Sequence, residues 1–393
     1  MQWLPERTEP CAWRARWVVP VTGDPIAQGV VTVVNGCIVQ MGTSSDAPMN
    51  DLGDVVLMPG LVNAHTHLEF SDLTQPLGQP GQVFPHWIRD VIAWRRGRNI
   101  DPVASIELGL VESLRSGVAA LGEIATGSAW TAAMAPTCDV TVFYEAICLQ
   151  PARIAEVLAR VDELLDHTAP GAKWRPGLSP HAPYTVHPRL LTALIERAQR
   201  RQLPVAMHLA ESREELELLA QGTGPFRELL DGMGIGWPHD ELSAFRQPFD
   251  YLQVLSTAPR SLVIHGNYLT AAETAWLGQQ RERMAVVYCP RTHAYFRHEP
   301  YPLAALLNAG ATVALGTDGR GSNPDLNLLA ELRYVTKTFP KISPRQIVEL
   351  GTLGGARALG IAGRLGSLEV GKLARCVILP CSASDPYETI LQG

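Results

Sequence analysis

The sequence predicts an α/β protein: a (β/α)8 TIM barrel carrying a small β-sandwich domain built from both chain termini. Three observations lead there. Strand-like and helix-like segments alternate through the middle of the chain, the pattern of parallel βαβ units. Short β-branched runs occur near both ends, so the two ends can meet in one small sheet. Histidines and acids recur at the predicted C-terminal ends of the strands, where barrels of this kind carry their active sites.

Residues 28–40 form two β-branched runs meeting at Asn35-Gly36, a strong two-residue hairpin turn. Val55, Val56 and Leu57 add a strand before the Pro59-Gly60 corner. Eight barrel strands are then expected at 61–68, 118–125, 140–147, 175–180, 204–209, 261–265, 284–289 and 311–316. Amphipathic stretches separate most of them, such as 188–201 after the fourth and 303–309 before the eighth. The span 212–260, rich in Gly, Pro and Leu, reads as a helical lid or wall. Residues 366–372, with a Gly corner, lead into 376–379 as a last strand pair. The expected division is therefore 1–58 and 363–393 for the small β-domain and 59–362 for the barrel. A doubly wound open sheet is the alternative, but no Gly-x-Gly-x-x-Gly follows an early strand.

Composition narrows the function. The 393 residues, 46% hydrophobic and 18% charged, suit a large globular core. A net charge of −6 without a basic stripe speaks against nucleic acid and for a small-molecule partner. No run of about 18 apolar residues points to a membrane span, and the first residues lack the pattern of a secretory leader. Seven cysteines without a Cys-x-x-Cys pair read as reduced thiols in a cytoplasmic protein. Assembly into a homo-oligomer stays open.

The first strand ends on His65-Thr66-His67, and side chains two apart on a strand share a face. The fourth runs into His181, the fifth gives His208 with Glu211 three residues on, the sixth ends on His265, and the eighth on Thr317-Asp318-Gly319. Each has an ordinary explanation alone: a turn cap, a satisfied core histidine, a helix N-cap. Together they place five of the eleven histidines, an Asp and a Glu at strand ends of one rim. Three histidines and an aspartate can hold one divalent ion with an open position, the mark of a catalytic rather than a structural site. Such an ion makes hydroxide available near neutral pH, and a Glu beside the substrate can protonate a ring nitrogen.

The run from Pro59 to His67, with His181-Ala182-Pro183-Tyr184, His208-x-x-Glu211, His265 and Gly316-Thr317-Asp318-Gly319, resembles the amidohydrolase superfamily. It is closest to the branch of cytosine, guanine and adenosine-derivative deaminases and triazine hydrolases. The resemblance implies one metal ion, zinc before iron or manganese, on His65, His67, His208 and Asp318. It also implies catalytic roles in proton transfer for Glu211, His265 and Asp318, and a substrate contact for His181. The lysine that bridges two metals in other members has no counterpart here, since Lys173 starts the fourth strand rather than ending it. The stretch His67–Ser71 containing Glu69, followed by Trp87, Ile88 and Arg95, is similar to aminodeoxyfutalosine deaminases. That adds Glu69 and Trp87 as substrate-binding residues, and Tyr184 joins them, with Phe84, as an aromatic near the mouth that can stack on a ring. Cys289-Pro290-Arg291-Thr292-His293 departs from the family pattern and lies near the site. The expected activity is a deaminase acting on a purine-like or nucleoside substrate. Hydrolysis of a cyclic amide or aryl halide, and a catalytically inactive scaffold, are the alternatives.

Overall fold

The computed structural model describes residues 1–5, 7, 9–98, 100–130, 136–166, 168, 174–238 and 242–392. Its centre is a ring of eight parallel strands: β1 (Leu61–Thr66), β2 (Val118–Ala125), β3 (Asp139–Ala146), β4 (Trp174–Pro180), β5 (Pro204–Leu209), β6 (Arg260–His265), β7 (Met284–Tyr288) and β8 (Thr312–Leu315). They pair in chain order. Strands covered on both faces read as continuous apolar runs rather than alternations, and every residue of β2 is buried. Ala64, Phe143, Ile264 and Val287 fill the interior.

The ring is drawn together between β8 and β1 by polar groups. The backbone N–H groups of Thr317 and Asp318 both donate to the His65 carbonyl at 3.1 Å. Asn63 Nδ2 donates to Thr317 Oγ1 at 2.7 Å, and the Thr317 N–H donates to Asn63 Oδ1 at 3.1 Å. Closure thus fixes His65 and Asp318 against each other.

Outer helices show the expected periodicity. Pro188–Arg201 buries Leu190, Leu191, Leu194, Ile195 and Ala198, one apolar stripe, and ends where Gln202 turns left-handed. Several strand ends differ from the sequence reading by one or two residues. β1 stops at Thr66 because the next free N–H, that of Leu68, donates to Glu123 Oε2 at 2.9 Å and starts a short 3-10 turn. β7 stops at Tyr288 because Cys289 caps a helix that begins with Pro290. β8 is shorter than 311–316 by one residue at each end.

Both termini contribute to a seven-stranded sheet, in the order Gln2–Trp3, Cys376–Pro380, Val55–Pro59, Cys11–Val18, Ile26–Val34 and Cys37–Gly42, with Met49–Asp51 beside Cys11–Val18. The hairpin turns at Asn35-Gly36, both with positive φ. Residues 366–372 are not the strand expected of them. Gly366 and Gly371 have φ of 90° and 91°, and the segment docks on the hairpin through single bonds such as Gly371 N–H to the Ile38 carbonyl at 2.8 Å. Between β5 and β6 the wall consists of helices Arg213–Gln221, Pro225–Gly232 and Pro248–Leu255. Lys173 lies outside the described residues. No helix among the described residues is long and apolar enough to cross a membrane.

Candidate active site

Five histidines converge at the C-terminal rim. His65 lies on β1 and His67 one residue past it, His181 follows β4, His208 lies on β5, and His265 ends β6. The ligand nitrogens of His65, His67 and His208 all lie within 4.8 Å of one another. The Asp318 carboxylate sits 3.6 Å from both His65 Nε2 and His67 Nε2.

Whether this cluster suits a cation can be read from its hydrogen bonds. Both ring nitrogens of His65 and Nδ1 of His67 are buried without a hydrogen-bond partner, an arrangement that costs free energy unless something else takes the lone pairs. His208 Nδ1 donates to the His181 carbonyl at 2.9 Å, which leaves its Nε2 bare and 3.3 Å from His67 Nε2. A hydrogen bond on the far nitrogen is the usual way a ligating histidine is oriented. Burial, then the neighbouring rings, push His67 and His208 well below the ordinary imidazole range, so both are neutral. Burial alone would raise Asp318, but His65 and then His67 and His265 hold it far below the usual carboxylate range. Gly319 N–H and Ser322 Oγ each donate to it at 2.9 Å. Three imidazoles and one carboxylate are the donor set of a divalent-metal site.

Beside the cluster, Glu211 Oε1 lies 3.2 Å from His265 Nε2. Burial, the Asp318 charge and Glu215 push the Glu211 carboxyl well above its ordinary value, while burial holds His265 low. These shifts favour the protonated acid beside the neutral imidazole. The turn at Glu211 is pinned by Glu215, which accepts from the N–H groups of Ala210 and Glu211 at 2.8 and 2.9 Å. Ala210, His265 and Asp318 all have left-handed backbone, with φ of 52°, 67° and 56°. Such conformations are costly outside glycine and cluster at functional sites.

These residues open into a chamber of about 270 Å³, whose wall includes His181, Tyr184, Phe84 and Trp87. His181 Nδ1 is 2.7 Å from Thr185 Oγ1, which itself donates to the Ala182 carbonyl, so Nδ1 is the donor and Nε2 the acceptor. The rings are layered: Phe84 on Trp87 at 5.6 Å, and Tyr184 on Phe226 at 4.1 Å.

The structure brings together every sequence-predicted site residue except one. Glu69 does not line the chamber. Its carboxylate takes the Arg95 guanidinium at 2.5 Å and the Thr126 hydroxyl at 3.2 Å, so it supports Arg95 in the wall rather than facing the cavity. The departing residues Arg291 and His293 do not line it either; Arg291 pairs with Glu331 and Asp325, each at 2.6 Å. Sequence reasoning missed Glu145, Ser322 and the wall from Phe226 to Ile235. A Leu-rich helical span predicted a wall but could not say which side chains would face inward. A larger cleft of about 650 Å³, lined by Arg260, Arg281 and Arg357, contains none of the site residues.

The model of the amidohydrolase family matches residues 56–391. Aminodeoxyfutalosine deaminase from Deinococcus radiodurans is 31% identical over 78% of this chain and 73% of its own. A 5-methylthioadenosine/S-adenosylhomocysteine deaminase from Moorella thermoacetica is 28% identical over 92% of this chain and 83% of its own. The crystal structure of an adenosine deaminase from Xanthomonas campestris with bound zinc is 25% identical, with a TM-score of 0.76, covering 98% of this chain and 90% of that one.

Proposed function

The chain belongs to the amidohydrolase family, and from that premise we propose that it is a metal-dependent deaminase that replaces a ring amino group of a purine-like nucleoside and releases ammonia. His65, His67, His208 and Asp318 hold one divalent ion, zinc in our reading. When bound, such an ion acidifies water and supplies a nucleophile at neutral pH. The chain's own groups do the rest. Asp318 and His265 accept the proton that water gives up. Glu211 donates a proton to the ring nitrogen beside the carbon under attack, where negative charge develops. His181 accepts a hydrogen bond from the substrate through Nε2, and Trp87, Phe84 and Tyr184 pack against its rings.

The observation that carries this reading is the buried Glu211 carboxyl, 3.2 Å from His265 and pushed well above its ordinary value by burial, at the edge of an aromatic chamber. Among nucleosides, aminodeoxyfutalosine is our first choice. Ile92, Ile147, Met233 and Ile235 extend the chamber with apolar surface that suits a long substituent on the sugar. We also place the enzyme in the cytoplasm, where its seven free cysteines stay reduced.

Ammonia release from aminodeoxyfutalosine, 5′-methylthioadenosine, S-adenosylhomocysteine and adenosine tests the proposal. The expected result is turnover of the panel with the highest kcat/KM for aminodeoxyfutalosine. No ammonia from any member, with metal bound and a cyclic amide or aryl halide hydrolysed instead, would overturn it.

A further inference from the structure

Glu145, next to last in β3, has no place in the chemistry above. Its side chain is 4% exposed, yet it lines the chamber. None of the described residues donates a hydrogen bond to its carboxylate; the polar atom facing it is His181 Nε2, 3.8 Å away. That is too long for a hydrogen bond between the two. Since His181 gives its proton to Thr185 through Nδ1, its Nε2 is an acceptor as well. The Glu145 carboxyl and His181 Nε2 thus face each other at the chamber wall with no hydrogen bond between them, and a donor on a ligand can bridge them. Arg95 also lines the wall, but its guanidinium is committed to Glu69 and lies over the Phe70 ring at 5.5 Å. It offsets charge without bonding Glu145.

The position of the pair says which part of a ligand it meets. Glu145 and His181 belong to β3 and β4, whereas His265 and Asp318 end or follow β6 and β8 on the other side of the ring. On the deaminase reading the amino group under attack lies on the Asp318 side, and a donor reaching Glu145, whose ligand atom is within 4.8 Å of those of His181 and His208, comes from another part of the substrate. In a nucleoside the part with hydroxyl donors is the sugar. Resting on the deaminase reading, we propose that Glu145, together with His181 Nε2, accepts hydrogen bonds from a ribose hydroxyl and so selects ribonucleosides over their deoxy counterparts.

The test compares adenosine with 2′-deoxyadenosine and 3′-deoxyadenosine on wild type, Glu145→Gln and Glu145→Leu, each with its metal content measured. Binding of the products inosine and 2′- and 3′-deoxyinosine is followed by calorimetry. A hydrogen bond to the Glu145 carboxyl, which burial pushes up to about 7, predicts a ribo preference of about 10-fold in kcat/KM for at least one hydroxyl. Glu145→Leu should abolish that preference through KM, with kcat within a few-fold and metal unchanged; Glu145→Gln, which keeps one acceptor and the shape, should retain part of it. A wild type indifferent to both hydroxyls, or a Leu variant that keeps the preference, overturns the inference. If wild type binds inosine but releases no ammonia from adenosine, the deaminase reading fails while the calorimetric ribo-against-deoxy comparison still decides the role of Glu145. Failure to bind any of these nucleosides overturns both.

Discussion

In the role proposed for Glu211 two demands meet, since the residue would have to stay protonated at neutral pH and still sit beside charged groups. Burial and the nearby Asp318 charge meet the first, and the 3.2 Å contact with neutral His265 keeps the carboxyl in place. Glu211→Gln should keep its metal and most of its substrate affinity but lose at least about 100-fold in kcat, because general-acid help forms mainly in the transition state. Metal analysis and steady-state kinetics on that variant check it; an unchanged kcat would place the proton donor elsewhere. Glu215 gives a pH prediction. Burial pushes its carboxyl up to about 7 against the pull of three backbone N–H groups. For an acid raised in the folded state, the stabilisation is full below the unfolded pKa of about 4.3 and is lost as pH rises through the folded value. Wild type should therefore lose stability relative to Glu215→Gln between roughly pH 4.5 and 7, by up to on the order of 3 kcal/mol. Urea unfolding of both at pH 5 and pH 8 measures the difference, and parallel curves would contradict it. At this scale the sequence revealed identity more than conformation. His65, His67, His208, Glu211, His265 and Asp318 could be picked out by their places in the strand pattern. The left-handed backbone of Ala210, His265 and Asp318 could not, because nothing local to those residues demands it.

Elements turn those residues into a site, and the junction of β8 with β1 does so most directly. Asn63 and Thr317 exchange two buried hydrogen bonds two residues from His65 and one from Asp318. Asn63→Ala should remove both of these bonds, cost about 1–3 kcal/mol of stability, and weaken metal binding by roughly 10- to 100-fold through the misplaced ligands. Competition with a chelator gives the affinity, and an unchanged value would show that closure does not hold the ligand geometry. The wall helix Pro225–Gly232 acts on the substrate instead. Phe226 is fully buried and stacks on Tyr184 at 4.1 Å, so Phe226→Ala should raise KM well above its effect on kcat. The strand pattern was legible because parallel strands are apolar throughout, but their ends were less so. β1 stops because a side chain, Glu123, takes the Leu68 N–H, and a long-range partner of that kind leaves no local trace. Glu69 was misplaced for the same reason: its neighbour in the sequence motif suggested the cavity, while Arg95 and Thr126 hold it away.

In the whole molecule, the barrel gathers groups from six of its eight strands or their ends into one donor set, acid pair and aromatic chamber. The terminal sheet lies apart from that chemistry, and we treat 1–58 with 363–393 as one supporting unit around a barrel of 59–362. This architecture could be read from the alternation of segments and from the strands at both ends. The size and lining of the chamber could not, since they depend on how the wall between β5 and β6 packs back over the rim. The account rests on one ion per chain enabling deamination, and this is open to a direct measurement. Protein stripped of metal is titrated with zinc while ammonia release from aminodeoxyfutalosine is followed. The account predicts no release from the stripped protein and a linear rise that breaks at one equivalent per chain. Full activity without metal, or a rise that continues to two equivalents, would contradict it.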